Sequence, residues 1–353
     1  MSWQGIEGHD AIAARLATAA ASGRIGGGYL FIGPPGVGKG RFAAAFAKAL
    51  ACPDAGAGLV PCGHCVSCLQ ADAGSHPDID VVRKPEDKAT LPLELLVGDA
   101  EHRMRDGLCW RLLLKPHVGT RRVAILHDAD HLSVEAANCL LKTLEEPPPG
   151  AVVILVGTML ERQLPTIRSR CQIIRFAPLD APVVASVLRG LRDGGQVPRI
   201  SDDSLADIAG RSGGSLERAV QLADPTLAEI RSRMLALLGR RPTPGVELAR
   251  ETLTAAEAVG KESAPRRQRL KLLLESAVGF YRAALRRCVT DEDPADPDLA
   301  RALGGWSGGP DEAAMSLRHT LDAIDAVDQN AHLPTLVDAW TAALERPQSP
   351  RLS

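Results

Sequence analysis

The chain has 353 residues, 45% of them apolar and 24% charged, a balance that suits two or three globular domains rather than one core. A formal net charge of −2 excludes a global positive field for nucleic acid, and 3% aromatics argues against a base-stacking single-strand binder. No apolar run approaches the roughly 20 residues that span a bilayer, and the first residues lack a basic segment followed by an apolar one. The expectation is a cytoplasmic protein, whose 8 cysteines act as metal ligands or core residues rather than as disulfides.

In chain order, Tyr29 to Ile32 is a short apolar strand ending at Gly33. Phe42, Ala45, Phe46, Ala49 and Leu50 follow at helical spacing. Ile79 to Val82 and Val123 to Leu126 read as further strands. Ser133 caps a helix marked by Val134, Ala137, Leu140, Leu141 and Leu144, which Pro147-Pro148-Pro149 stops. Ala151 to Val156 is an all-apolar strand, and Ile173 to Phe176 is the last. Strands alternating with helices predict a parallel sheet covered on both faces. Over 180–222 there are three short helical stretches, broken at Gly194-Gly195 and Gly213-Gly214. From about 225 onward the pattern is helical, best seen in Leu270, Leu273, Leu274, Ala277, Val278 and Tyr281, with Pro265 near the helix start. Segments 289–299 and 303–311 read as loops, and the tail after Pro347 as frayed.

Gly33-Pro34-Pro35-Gly36-Val37-Gly38-Lys39 follows a strand and opens a helix, which is the setting of a phosphate-binding loop. Glycines let backbone N–H groups turn toward phosphates, the helix N-terminus adds positive potential, and the lysine reaches the outer phosphates. Gly40 stands where the motif requires Ser or Thr, so the hydroxyl that holds Mg²⁺ is missing. ATP and Mg²⁺ binding therefore stay open. The strand ending in His127-Asp128-Ala129-Asp130 should carry two acids. One register puts Asp128 first with Ala129 second; another puts His127 first with Asp128 second; one acid is lost in both. The plain alternative is that Asp128 and Asp130 end the strand and cap the next helix.

Cys52, Cys62, Cys65 and Cys68 follow C-x9-C-x2-C-x2-C, a spacing that can close a tetrahedral, structural Zn²⁺ site. Alternatives are a disulfide pair, or His64 in place of one cysteine. Cys109, Cys139, Cys171 and Cys288 read as packing residues. Arg170, in Ser169-Arg170-Cys171, is either an arginine that stabilises charge on a neighbour's phosphate or an ordinary surface ion pair. Arg266, Arg267, Arg269 and Lys271 form either a DNA-facing patch or a solvated helix face.

These motifs together resemble the clamp-loader family of the AAA+ superfamily. Gly33 to Lys39 resembles its Walker A loop. Ala137 to Pro148 is close to "ANALLKTLEEPP", departing at Cys139, and Leu164 to Gln172 is close to "LPTIRSRCQ". The resemblance is specific from about Tyr29 to Pro178. Beyond that, Gly214-Ser215-Leu216 with Arg218 looks like the sensor 2 region, and Asn330-Ala331 precedes an apolar helix as in the family's collar.

The resemblance implies an α/β AAA+ P-loop domain over 1–178 with a zinc-binding insertion at 52–68. It also implies a helical lid over 179–222 and an all-α collar and oligomerisation domain over 223–353. Counting back from Asn138 puts His127 at the Mg²⁺ acid and Asp128 at the glutamate; Thr158 matches sensor 1. Gly40, His127 and Asp128 depart from the active pattern, whereas Arg170 is intact. The resemblance thus implies a non-hydrolysing stator of the DNA polymerase III clamp loader that lends Arg170 to a neighbour in trans. Implied partners are gamma/tau and delta subunits in a pentameric ring, the sliding clamp and primed-template DNA. Alternatives are an active motor-type ATPase of the same family and a stand-alone zinc and DNA-binding module with a relic P-loop. The stretch from Asp87 to Thr120, containing Leu96, Cys109 and Trp110, is longer than the family pattern leads one to expect.

Overall fold

A computed structural model describes residues 3–345 except 57, 86, 87, 89, 100, 102–104, 261, 291–293 and 295. Met1, Ser2, the tail after Pro347 and part of the 87–120 insertion lie outside the described residues. The chain divides into two compact units, Met1–Gln221 and Leu222–Ser353. The stretch expected to form a lid belongs, except for its last residue, to the first unit. Among the described residues, no helix is long and apolar enough to cross a membrane.

The first unit is built on a five-stranded sheet in the order β2-β3-β4-β1-β5. The strands are β1 (Gly28–Ile32), β2 (Ile79–Val82), β3 (Arg122–Leu126), β4 (Ala151–Gly157) and β5 (Gln172–Arg175), and every pairing is parallel. All residues of β1, β3 and β4 are buried, as apolar runs require of central parallel strands, and the one charge among them, Arg122 at the start of β3, is paired with Asp78. The edge strands β2 and β5 are partly exposed.

Side chains alternate between two covered faces. Tyr29, Phe31, Val123, Ile125, Val152 and Ile154 pack on one face with Phe42 and Phe46. Leu30, Ile32, Ala124, Leu126, Val153 and Leu155 pack on the other with Leu140 and Leu144. Four of the chain's five phenylalanines, Phe31, Phe42, Phe46 and Phe176, lie in the first of these layers, so the scarce aromatics brace the sheet. The rings meet largely edge to face, with Tyr29 and Phe46 5.3 Å apart.

The 87–120 insertion completes the second layer. Two short helices, Glu94–Val97 and Leu108–Leu113, bury Leu96, Leu108, Cys109 and Leu112 there. Arg111 Nε reaches Asp80 Oδ1 on β2 at 2.6 Å. Trp110 stays about one-third exposed.

The helix after β3 runs Val134–Glu145, with Ser133 Oγ accepting from the Ala136 N–H. Helices Ala181–Asp193, Asp202–Arg211 and Leu216–Leu222 occupy the expected stretch. Gly214 lies at φ +80°, and a Cβ there would come within 2.6 Å of the Leu179 backbone, so only glycine fits the turn.

The second unit is helical, with its own core around Leu235, Leu238, Leu270, Leu273, Leu274, Phe280, Tyr281 and Trp340. Its longest helix is Ser263–Thr290. One expectation is corrected: the loops expected at 289–299 and 303–311 give way at 297–304 to helix Pro297–Gly304. Asp296 caps it, its carboxylate accepting from the Asp298 and Leu299 N–H groups, with Pro297 in the first turn. Helix Pro310–Asp328 likewise starts inside the second expected loop.

Candidate functional site: a phosphate loop, a thiol cluster and a distant arginine

Gly33 to Lys39 joins β1 to helix Lys39–Ala51, the outer end of a parallel strand where ligands of such sheets bind. Gly36 and Gly38 adopt φ +74° and +92°. Leu216 N–H donates to the Gly36 carbonyl at 2.8 Å, and a Cβ on Gly36 would run into the Ser215 hydroxyl. The start of helix Leu216–Leu222 therefore rests directly on the loop. Lys39 is buried and donates to the carbonyls of Gly33 and Pro34, both at 2.6 Å. Burial pulls its ammonium down to about 8, against the opposing fields of Asp130 and Glu217. Glu217 near Lys39 escaped the sequence reading, because nothing local signals that helix 216–222 returns to the loop.

Gly40 faces His127. A Cβ at position 40 would stand 2.9 Å from His127 Cε1. Burial first, then Arg83, drives the His127 imidazole down to about 4 against the pull of Asp128, so the ring is neutral near pH 7. Asp128 has a left-handed backbone (φ +57°), and its Oδ2 accepts from Lys84 N–H at 3.2 Å. Asp130 Oδ2 accepts from Thr158 N–H at 2.6 Å and Oδ1 from Gln163 Nε2 at 2.5 Å. Asp128 takes the N-cap position of the short 3-10 turn Ala129–His131 without a side-chain cap bond, and helix Val134–Glu145 is capped by Ser133. Gly40, Lys39, His127, Asp130 and Thr158 thus gather at one end of the sheet. The Asp128 carboxylate turns instead to the chain leaving β2. Arg218 lies on the helix that backs Gly36, and its N–H donates to Ser215 Oγ at 3.3 Å.

The four cysteines come together. Cys52 Sγ lies 3.8 Å from Cys62 Sγ and 3.9 Å from Cys65 Sγ, and Cys62 Sγ lies 3.9 Å from Cys68 Sγ. Four thiolates around a tetrahedral ion with bonds of about 2.3 Å stand about 3.8 Å apart, whereas a disulfide requires about 2.05 Å. The donor set therefore fits a four-coordinate metal ion. His64 is not in the cluster: its Nδ1 sits 2.9 Å from the Cys62 carbonyl, and the gathered ligand atoms are the four sulfurs. The N–H groups of His64 and Cys65 hold the Cys62 thiol down to about 6, while burial pushes Cys68 up to about 12. Cys52 ends the loop helix, and Cys65 caps helix Val66–Asp72, its sulfur accepting from Cys68 N–H. Ser67 Oγ donates to the Ala51 carbonyl at 3.1 Å and meets His76 Nε2 at 2.8 Å, which ties the cluster to the sheet.

Arg170 lies elsewhere. Its carbonyl is 3.3 Å from where a Cβ on Gly28 would stand, at the first residue of β1. The phosphate loop leaves the last residue of that strand, roughly 13 Å away at about 3.3 Å per residue. The Arg170 guanidinium pairs with Glu145 and donates to the Thr166 carbonyl at 2.9 Å. An ion pair was one of the two sequence readings of Arg170; Glu145 as its partner could not be named from the sequence.

The basic run of the long helix is engaged inside its own unit. Arg266 donates to the Gly260 carbonyl, Arg267 to the carbonyls of Val327 and Asn330, Arg269 pairs with Asp224 and Lys271 with Asp328.

A phosphate loop on a central strand of this parallel sheet, backed by a small helical segment, defines the AAA+ class of nucleotide-binding folds. Residues 8–180 match the family described as DNA polymerase III, delta subunit. The chain is 34% identical over 208 residues to DNA polymerase III subunit delta' of Pseudomonas aeruginosa, covering 59% of this chain and 58% of that protein. It is 31% identical over 265 residues to DNA polymerase III subunit gamma/tau of Mycobacterium tuberculosis, covering 73% of this chain and 43% of that protein. The matches therefore span well under two thirds of these relatives. Over residues 8–180 the chain matches the clamp-loader family that includes the delta' and gamma/tau subunits of DNA polymerase III.

Proposed function

We propose that this chain is a delta'-type stator of a replicative clamp loader. It does not hydrolyse ATP itself and supplies Arg170 to ATP held by an adjacent gamma/tau motor subunit. The observation that carries this reading is the separation of parts. Arg170 stands at the opposite end of β1 from its own phosphate loop, a placement that supports a role at a neighbour's site rather than at its own. The home pocket has Gly40 where a metal-holding hydroxyl is needed and a neutral His127 where an acid is needed. In the loader, residues 1–178 would form the AAA+ domain, 179–222 the lid and 223–353 the collar. The collar would join gamma/tau and delta subunits in a pentameric ring that places the sliding clamp on primed DNA. Cys52, Cys62, Cys65 and Cys68 would hold a structural zinc ion, with no open position for chemistry.

The test is the reconstituted loader with clamp and primed DNA. Arg170→Ala should lower its ATPase by ~10³–10⁵-fold in the affected site while the complex still assembles. Unchanged turnover would remove the finger role.

A motor subunit of the gamma/tau kind is the second reading, favoured by the longer gamma/tau match and the intact Lys39 loop. ATP hydrolysis by the isolated chain, abolished by Lys39→Ala, would establish it. A stand-alone DNA-binding module has less support, because Arg266, Arg267, Arg269 and Lys271 are spent on contacts within their own unit.

A further inference from the structure

Gly40 has no backbone reason to be glycine. It lies in the first turn of helix Lys39–Ala51 and is absent from the residues with positive φ. A helix accepts almost any other residue more readily than glycine at an interior site. The reason lies across the pocket. A Cβ at position 40 would lie 2.9 Å from Cε1, 3.5 Å from Nδ1 and 4.0 Å from Nε2 of His127, so the Cε1 edge of the ring points at the missing side chain. Carbon atoms meet comfortably at about 3.5–4.0 Å, so even alanine would press on the imidazole. That imidazole is 9% exposed and walled in.

In a magnesium-dependent phosphate loop, the cation sits between the hydroxyl that follows the lysine and an acid at the end of the neighbouring strand. Here that space is bounded by Gly40 and the His127 ring. Mg²⁺ requires oxygen ligands in near-octahedral array. The nearby oxygens are engaged elsewhere: Asp128 Oδ2 by Lys84 N–H, and both Asp130 oxygens by Thr158 N–H and Gln163. Mg²⁺ therefore does not fit the residues present.

We propose that Gly40 and His127 are a matched pair in which the imidazole fills the divalent-cation position, so that Mg²⁺ adds nothing to nucleotide affinity at this loop. The two departures from the active pattern are then one device, and reversing either alone does not reopen the site. This rests on the reading of the pocket as non-hydrolysing.

Two measurements on the purified full chain test it. The first is a thermal-stability cycle. Gly40→Ala should lower the melting temperature by several degrees beside His127, and leave it unchanged or raised beside His127→Ala. Additive effects would overturn the pairing. The second titrates a fluorescent ATP analogue in Mg²⁺ and in EDTA. For the native chain and for Gly40→Thr or His127→Asp alone, the two conditions should agree within twofold, including no binding in both. For the folded Gly40→Thr/His127→Asp double variant, Mg²⁺ should tighten binding at least tenfold. Tenfold Mg²⁺ dependence in the native chain, or none in the double variant, would overturn the proposal. Mg²⁺-dependent binding without turnover would defeat only this pairing, whereas turnover by the native chain would defeat the non-hydrolysing reading itself.

Discussion

Asp78 shows how a single residue fixes the entry to the sheet. Its carboxylate is fully buried and accepts from the N–H groups of His117, Val118 and Gly119 at 2.6, 2.8 and 2.8 Å. Burial alone would raise its pKa, but the three N–H groups, aided by the Arg122 guanidinium, outweigh it and hold the carboxyl below its ordinary value. A folded-state pKa below the unfolded one means stability that is present above the unfolded value, about 3.9, and lost as pH falls through the folded value. Asp78→Asn should cost about 3 kcal/mol at pH 7, since the amide leaves inward-pointing donors without an acceptor. Denaturant titration should show that loss shrinking below about pH 4; a difference independent of pH would remove the ionised carboxylate from the account. Asp78 was not legible in the sequence, because its partners lie some forty positions along the chain. The phosphate loop was legible because its chemistry is contiguous, from Gly33 to Lys39. His127 stood out as a departure from pattern, yet its packing on Gly40 needed three dimensions.

At the scale of elements, the central strands were readable because a strand buried on both faces must be apolar throughout, as Ala151–Gly157 is. The insertion helices were not. Glu94–Val97 and Leu108–Leu113 are too short to show a period, and their Leu96, Leu108 and Leu112 acquire meaning only from the sheet face they cover. Helix Pro297–Gly304 hid behind residues that look like a turn, although Asp296-Pro297 is equally a helix start. The thiol cluster is the element with the clearest dependence on a ligand. It spans the end of the loop helix at Cys52 and the start of helix Val66–Asp72 at Cys65, and Ser67 binds the Ala51 carbonyl beside it. A metal ion held by these sulfurs would help to hold the C-terminal end of the helix whose N-terminal end carries Lys39. Purified chain should contain about one zinc ion per molecule, as four closed thiolate ligands require. Cys65→Ser should abolish metal content and destabilise the first unit by ~2 kcal/mol or more, as metal loss does in small knuckles. Elemental analysis and thermal melting check both; full stability without zinc would make the cysteines ordinary packing residues.

For the whole molecule, the useful division falls between residues 221 and 222. The second unit carries a complete inventory of what an independent domain needs. Among the described residues, its core runs from Leu227 to Leu344. Several of its ion pairs close within the unit: Arg231 meets Asp296 at 2.6 Å, Arg269 meets Asp224 at 2.9 Å and Lys271 meets Asp328 at 2.7 Å. Arg231 and Asp296 are both largely buried, so removing the arginine would cost about 3 kcal/mol even though the Asp298 and Leu299 N–H groups still hold the carboxylate. A domain with its own core and matched buried charges folds alone. Residues 222–353 expressed by themselves should therefore give a helical circular-dichroism spectrum and one cooperative melt, and Arg231→Met should lower that melt because it removes the buried Arg231–Asp296 ion pair. A fragment that melts without cooperativity would mean that the first unit is needed to complete the second. A cooperative fragment would instead give a direct test of the proposed collar: mixed with gamma/tau and delta subunits, it should compete with the full chain for a place in the ring while contributing no Arg170 to the neighbouring ATP.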